Sequence, residues 1–107
     1  MRRDVVAAAA IALIVVQMAG CGGAVPRVSS GMVASARERW PDASEASLGR
    51  GRDLYTRRCN TCHALPLPGE HPAEEWPAIV RSMGKRSKLD SAAQDDVARF
   101  LMVARQP

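Results

Sequence analysis

The chain has 107 residues, 47% of them apolar but only 4% aromatic, and a formal net charge of +4. This is room for one small domain, with few large rings to fill a core by themselves. Its Lys and Arg residues are interspersed with Asp and Glu instead of forming a basic run, so the charge gives no ground for a nucleic-acid surface.

The N-terminus reads as an export signal. Arg2 and Arg3 form a positive start, and Val5 to Val16 is an unbroken apolar run, too short for a comfortable transmembrane helix. Met18-Ala19-Gly20-Cys21 follows, with small residues at the two positions before the cysteine. This quartet resembles a bacterial lipobox, which implies cleavage before Cys21, a diacylglycerol on its sulfur and a stable membrane anchor. An ordinary signal cleaved nearby, or an uncleaved segment, are the competing readings. All three expect export to the bacterial cell envelope, on the periplasmic side.

Residues 21–43 are expected to be a tether, since Gly22, Gly23, Pro26, Ser29, Ser30 and Gly31 offer little to bury. Val33 to Arg39 can form a short helix that Trp40-Pro41 would end. Trp40 is open between packing on the domain and lying at a membrane surface.

A domain is expected over residues 44–107. Ser44 or Ser47 can cap a helix running to about Arg58, in which Leu48, Gly51, Arg52, Tyr55, Cys59 and Cys62 recur at helical spacing. One face of that helix leads into Cys59-Asn60-Thr61-Cys62-His63, a C-x-x-C-H pentad and the attachment signature of a c-type haem. Two thiols three residues apart can each form a thioether to the porphyrin, and the adjacent histidine then offers its imidazole to the iron. A thioredoxin-like pair would sit at the end of a strand in a βαβ pattern, and no stretch near Cys59 reads as a strand. Structural zinc would lack a fourth ligand unless His71 served, and His63 follows Cys62 too closely to complete the same tetrahedron.

These residues resemble the cytochromes c, specifically the small single-haem class I kind with histidine and methionine as axial ligands. The resemblance implies an all-α fold of three main helices around one covalent haem c. It also implies that Gly51 allows close crossing by the last helix, and that Tyr55 is the aromatic at that contact. In the family a proline carbonyl after the pentad commonly receives the second ring N–H of the ligand histidine; Pro66 and Pro68 are both candidates.

Ala64-Leu65-Pro66-Leu67-Pro68-Gly69 reads as a stiff apolar loop with no room for a helix, and Leu65 and Leu67 as haem-packing residues. A second helix is expected from about Pro72 to Met83, its start tightened or delayed by Pro77. Trp76, Ile79, Val80 and Met83 fall at i, i+3, i+4 and i+7 on one side. That places Met83 in the last turn before Gly84, with core filling as its ordinary alternative. Resemblance to small cytochromes whose tryptophan-containing helix ends in the ligand methionine implies that Met83 is the sixth ligand opposite His63. His71 is the runner-up. Met32 lies in the tether, and Met102 projects away from the apolar stripe of its helix.

That terminal helix starts at Asp90 or Ser91, with Ser91 and Gln94 spaced as a capping box, and its stripe is Val97, Phe100, Leu101 and Ala104. Before it, Lys85, Arg86 and Lys88 form a polar loop, either a solvated surface or a patch that steers an acidic partner. The expectation is an exported, lipid-anchored, monohaem one-electron carrier exchanging electrons with redox protein partners, and not an enzyme, since no second catalytic constellation is present. The alternatives are a haem-based sensor or small-ligand binder with a labile sixth position, and the electron-accepting subunit of a dehydrogenase complex.

Overall fold

The computed structural model describes residues 24–59 and 65–105, and among these every regular element is helical. The first helix, α1 (Ser30–Arg39), starts where the Ser29 hydroxyl accepts the Met32 N–H at 3.2 Å. It stops at Trp40, which turns extended because the following Pro41 crowds a helical backbone. In the second, α2 (Glu45–Arg58), Ser44 and Ser47 cap each other reciprocally, each side chain accepting the other's backbone N–H at 3.0 Å. Two otherwise orphaned donors are satisfied at once.

Between α2 and the next α-helix the described residues make two 3-10 turns, Pro68–Glu70 and Ala73–Glu75. The loop expected to hold no helix thus carries one short turn, closed by the Glu70 carboxylate, which accepts the Leu67 N–H. The third helix, α3, spans Trp76–Arg86, not 72–83. Pro77 lies in its first turn, where a missing N–H costs nothing, and the preceding turn stays 3-10. Its C-terminus extends past Gly84, because Lys88 supplies the left-handed residue (φ 57°) and the Leu89 N–H reaches the Gly84 carbonyl at 3.0 Å. Lys85 and Arg86 are therefore helical and not part of a loop.

The last helix, α4 (Ser91–Val103), is capped by Asp90, whose carboxylate accepts the Ala93 N–H at 2.8 Å. The expected Ser91–Gln94 box does not form. Gln94 instead donates to the Leu89 carbonyl at 2.8 Å, and its side chain lies against Gly84.

The apolar stripe of α4 organises the core. Val97, Phe100, Leu101 and Ala104 are all buried, with Leu48 and Tyr55 of α2 and Trp76 and Val80 of α3 against them. Helices α2 and α4 cross at Gly51, where an added Cβ would lie 2.0 Å from the Asp96 carbonyl oxygen and 3.1 Å from the Phe100 Cβ. The close crossing expected of Gly51 is present.

Residues 24–43 also lie on this core. Met32 and Ala36 are buried, and Val25, Val28, Val33 and Trp40 pack around them. Arg52 holds the entering chain, its guanidinium donating to the Pro26 carbonyl at 2.9 Å and to that of Val25 at 3.1 Å. The guanidinium groups of Arg39 and Arg99 both lie over the Trp40 ring, and Arg99 is paired with Asp42. Among the described residues no helix is long and apolar enough to cross a membrane.

Candidate functional site at the joined ends of two helices

Cys59 is the C-cap of α2. Its N–H still reaches the Tyr55 carbonyl at 3.2 Å, so the helix delivers this thiol, half-buried, at the point where the chain leaves it. Cys62 and His63 lie outside the described residues, as does Cys21. Burial pushes the Cys59 thiol above its ordinary pKa, partly offset by the polar Ser87 side chain beside it.

Ser87 joins two helix ends. It is the C-cap of α3, and its hydroxyl donates to the Arg58 carbonyl at 3.2 Å, so the C-termini of α2 and α3 meet beside Cys59. Met83 is one turn back along α3, its carbonyl accepting the Ser87 N–H at 3.0 Å. The strip of α3 facing the core is Trp76, Val80 and Gly84; Ile79 and Met83 flank it, partly buried and packed against the core edge. Met83 is thus a rim residue, one turn before the end of α3. Met102 also packs partly against the core, and Met32 is buried inside it.

Two aromatic side chains fix the loop that follows the pentad. The Tyr55 hydroxyl donates to the Pro66 carbonyl at 2.5 Å, and the Trp76 indole N–H to the Pro68 carbonyl at 2.9 Å. The rings meet edge to face, with centroids 6.2 Å apart. A segment with two prolines has few N–H groups, so its carbonyls are the available handles. Both candidate proline carbonyls already accept one bond, and each oxygen has a second lone pair. Leu65 is partly buried against the same core. Burial, followed by the nearby Cys59 and Glu70, raises the Tyr55 phenol well above its ordinary value and keeps it a donor.

His71 lies at the other end of α3. Its ring stands edge-on to Trp76 at 5.0 Å, and its Nδ1 is 3.6 Å from the Glu75 carboxylate.

Around the junction of α2 and α3 lie five exposed cations: Arg57 and Arg58 in the last turn of α2, Lys85 and Arg86 in that of α3, and Lys88 beyond it. Among the described residues none of them enters an ion pair. The sequence points to the α3 group alone; Arg57 and Arg58 join it through a contact between positions 29 residues apart, which no local pattern announces.

Comparison of the chain with protein-family models, with curated proteins and with solved structures finds no match.

Proposed function

We propose that the chain is an exported monohaem c-type cytochrome that carries one electron at a time between redox proteins. The observation that supports this reading is the junction at Ser87, which brings Cys59, the C-cap of α2, and Met83, one turn before Ser87 on α3, to the joined ends of these helices. The donor set suits haem: thioether-forming Cys59 and Cys62, the imidazole of His63, the soft sulfur of Met83, and apolar Leu65 and Ile79 to cover a porphyrin face. Bound there, haem would supply a ferric–ferrous couple, and the Met83 thioether as a ligand would raise the potential relative to bis-histidine ligation.

The chain's own residues orient and shield. Tyr55 and Trp76 pin the Pro66 and Pro68 carbonyls, so the segment after His63 is held by buried donors. The close crossing at Gly51, with Phe100 against it, is the feature that the resemblance to class I cytochromes c leads one to expect of the first and last helices. Met83 is favoured over His71 as sixth ligand by position. Trp76, on which His71 leans, and Met83 are seven positions apart on α3, about 10 Å along the axis. Cys59 is at the Met83 end. The five cations around that end would steer an acidic partner toward it.

The test is the visible spectrum of the chain purified after co-expression with haem-attachment machinery. A covalent haem is expected, with a weak far-red band of sulfur-to-ferric-iron ligation that is lost in Met83→Ala. A covalent haem without that band would favour His71 or an open sixth position, and with it a ligand-binding sensor. A chain free of haem would overturn the proposal.

A further inference from the structure

We infer that the domain lies flat against the phospholipid surface, on the face formed by residues 24–27, the turn at 67–70 and the end of α4, instead of swinging on a tether. The inference rests on the reading of Cys21 as a lipid-bearing residue, and goes beyond it by naming the surface that meets the bilayer.

The argument is one of chain length. Only Gly22 and Gly23 separate Cys21 from Ala24, and three residue steps span at most about 11 Å even when fully extended. Composition suggests slack beyond that, but Arg52 removes it. Its guanidinium grips the Pro26 and Val25 carbonyls, and Val25 and Val28 pack on the core. The free span ends at Ala24, so a lipid on Cys21 would draw this face to within a few residues' length of the headgroups. The surface here is suited to that position. Ala24, Pro26, Leu67, Pro68 and Ala104, together with Glu70, line a shallow, largely apolar concavity of about 240 Å³. Arg27 and Arg105, both exposed, adjoin it in sequence and offer two cations to anionic headgroups.

The consequence for electron transfer follows from α2. Arg52 and Cys59 are seven residues apart on that helix, about 10 Å along its axis. The Cys59 end is therefore held close to the membrane, within reach of partners that are themselves bound to it.

The experiment uses the full chain, matured with lipid and haem, in vesicles of phosphatidylethanolamine and phosphatidylglycerol. Single cysteines are introduced as Arg27→Cys, Gly69→Cys and Arg105→Cys, with Glu38→Cys, Lys85→Cys and Asp95→Cys as exposed comparisons, and are spin-labelled. Each label's relaxation by oxygen, which concentrates in lipid, is compared with that by a water-soluble nickel chelate. The oxygen-to-nickel ratio is expected to be several-fold higher at the first three positions, and Arg52→Ala is expected to remove the contrast by releasing residues 24–26. Equal ratios at all six positions, in a chain whose mass carries the diacylglyceryl group, would overturn the flat orientation and leave the anchor intact. First-group labels shielded from both relaxants would overturn it in favour of a covering protein or second copy. A mass showing no lipid on Cys21 would remove the anchor and the orientation together.

Discussion

The absence of one methyl group at Gly51 lets two helices meet. A Cβ at this position would overlap the Asp96 carbonyl, part of the α4 backbone, and no side-chain rotation relieves that contact. Gly51→Ala should therefore destabilise the fold by about 1–3 kcal/mol or more, as overpacking does. Gly49, two residues earlier on α2, has nothing within 4 Å of its virtual Cβ, so Gly49→Ala should stabilise by up to about 1 kcal/mol through helix propensity. Thermal unfolding followed by far-UV circular dichroism would show the two changes moving Tm in opposite directions. Tyr55, the one tyrosine of the chain, gives a second readout at this scale. Burial favours its neutral form in the folded state, so its pKa is raised above the ordinary 10.0 that it regains on unfolding. Its contribution to stability is complete below pH 10 and is lost as pH rises from there toward the folded value, because only the unfolded state releases the proton. Tyrosinate absorbance should thus be silent in the folded protein just above pH 10 and appear together with unfolding. Tyr55→Phe should flatten that alkaline loss of stability while costing about 1–2 kcal/mol at neutral pH for the bond to the Pro66 carbonyl.

At the scale of elements, periodicity made α2 and α4 legible, and capping chemistry the start of α2. The Ser44/Ser47 pair and the stripe of Val97, Phe100, Leu101 and Ala104 stand where the pattern puts them. The end of α3 was not legible, because Gly84 reads as a stop signal but serves packing. Its virtual Cβ would lie 2.7 Å from Gln94 Cγ, so Gly84 admits that side chain and the helix runs on. The actual stop is Lys88, a residue type that does not advertise a left-handed backbone. Lys88→Gly should relieve that strain at the cost of greater unfolded-state entropy, for a net gain of about 0.5–1 kcal/mol, read as a higher midpoint in urea. The candidate site divides in the same way. Cys59, Cys62 and His63 are adjacent in sequence and need no fold to be seen. The hydrogen bonds that pin the following loop join Tyr55 to Pro66 and Trp76 to Pro68, and they use backbone carbonyls, which carry no sequence signature. The gathering of Arg57 and Arg58 with Lys85, Arg86 and Lys88 depends on one contact between two helix ends, so it too required the fold.

For the whole molecule, the main departure from the pattern is the part played by residues 24–43, whose Pro26, Ser29, Ser30 and Gly31 suggest a spacer. Few residues in this segment are buried, but those few complete the core: Met32, Ala36 and Ala43 share one cluster with Phe100 and Leu101. The segment is also tied at both ends. Arg52 holds Val25 and Pro26, and Asp42 pairs with Arg99 of α4 at 3.2 Å. Near its C-terminal end, Trp40 carries the guanidinium groups of Arg39 and Arg99 over its ring. A chain beginning at Ser44 would expose the surface that Met32 and Ala36 cover, and leave the Arg52 guanidinium without its two carbonyls. Burial of a methionine is worth about 1.5–3 kcal/mol and each hydrogen bond about 0.5–1.5 kcal/mol. The truncation should therefore cost about 3–6 kcal/mol, a large share of the roughly 5–15 kcal/mol that holds a small domain folded. Urea unfolding of residues 24–105 and 44–105, in the same haem state, should show a lower midpoint for the shorter chain, and a smaller slope because less surface is hidden to begin with. Met32→Ala in the longer chain separates packing from mere length. A cost of about 2–5 kcal/mol is expected if α1 is part of the core. Equal midpoints for both chains, with Met32→Ala neutral, would mean that α1 only rests on the domain, and that the hold of Arg52 on residues 25 and 26 is too weak to set where an anchored chain meets the membrane.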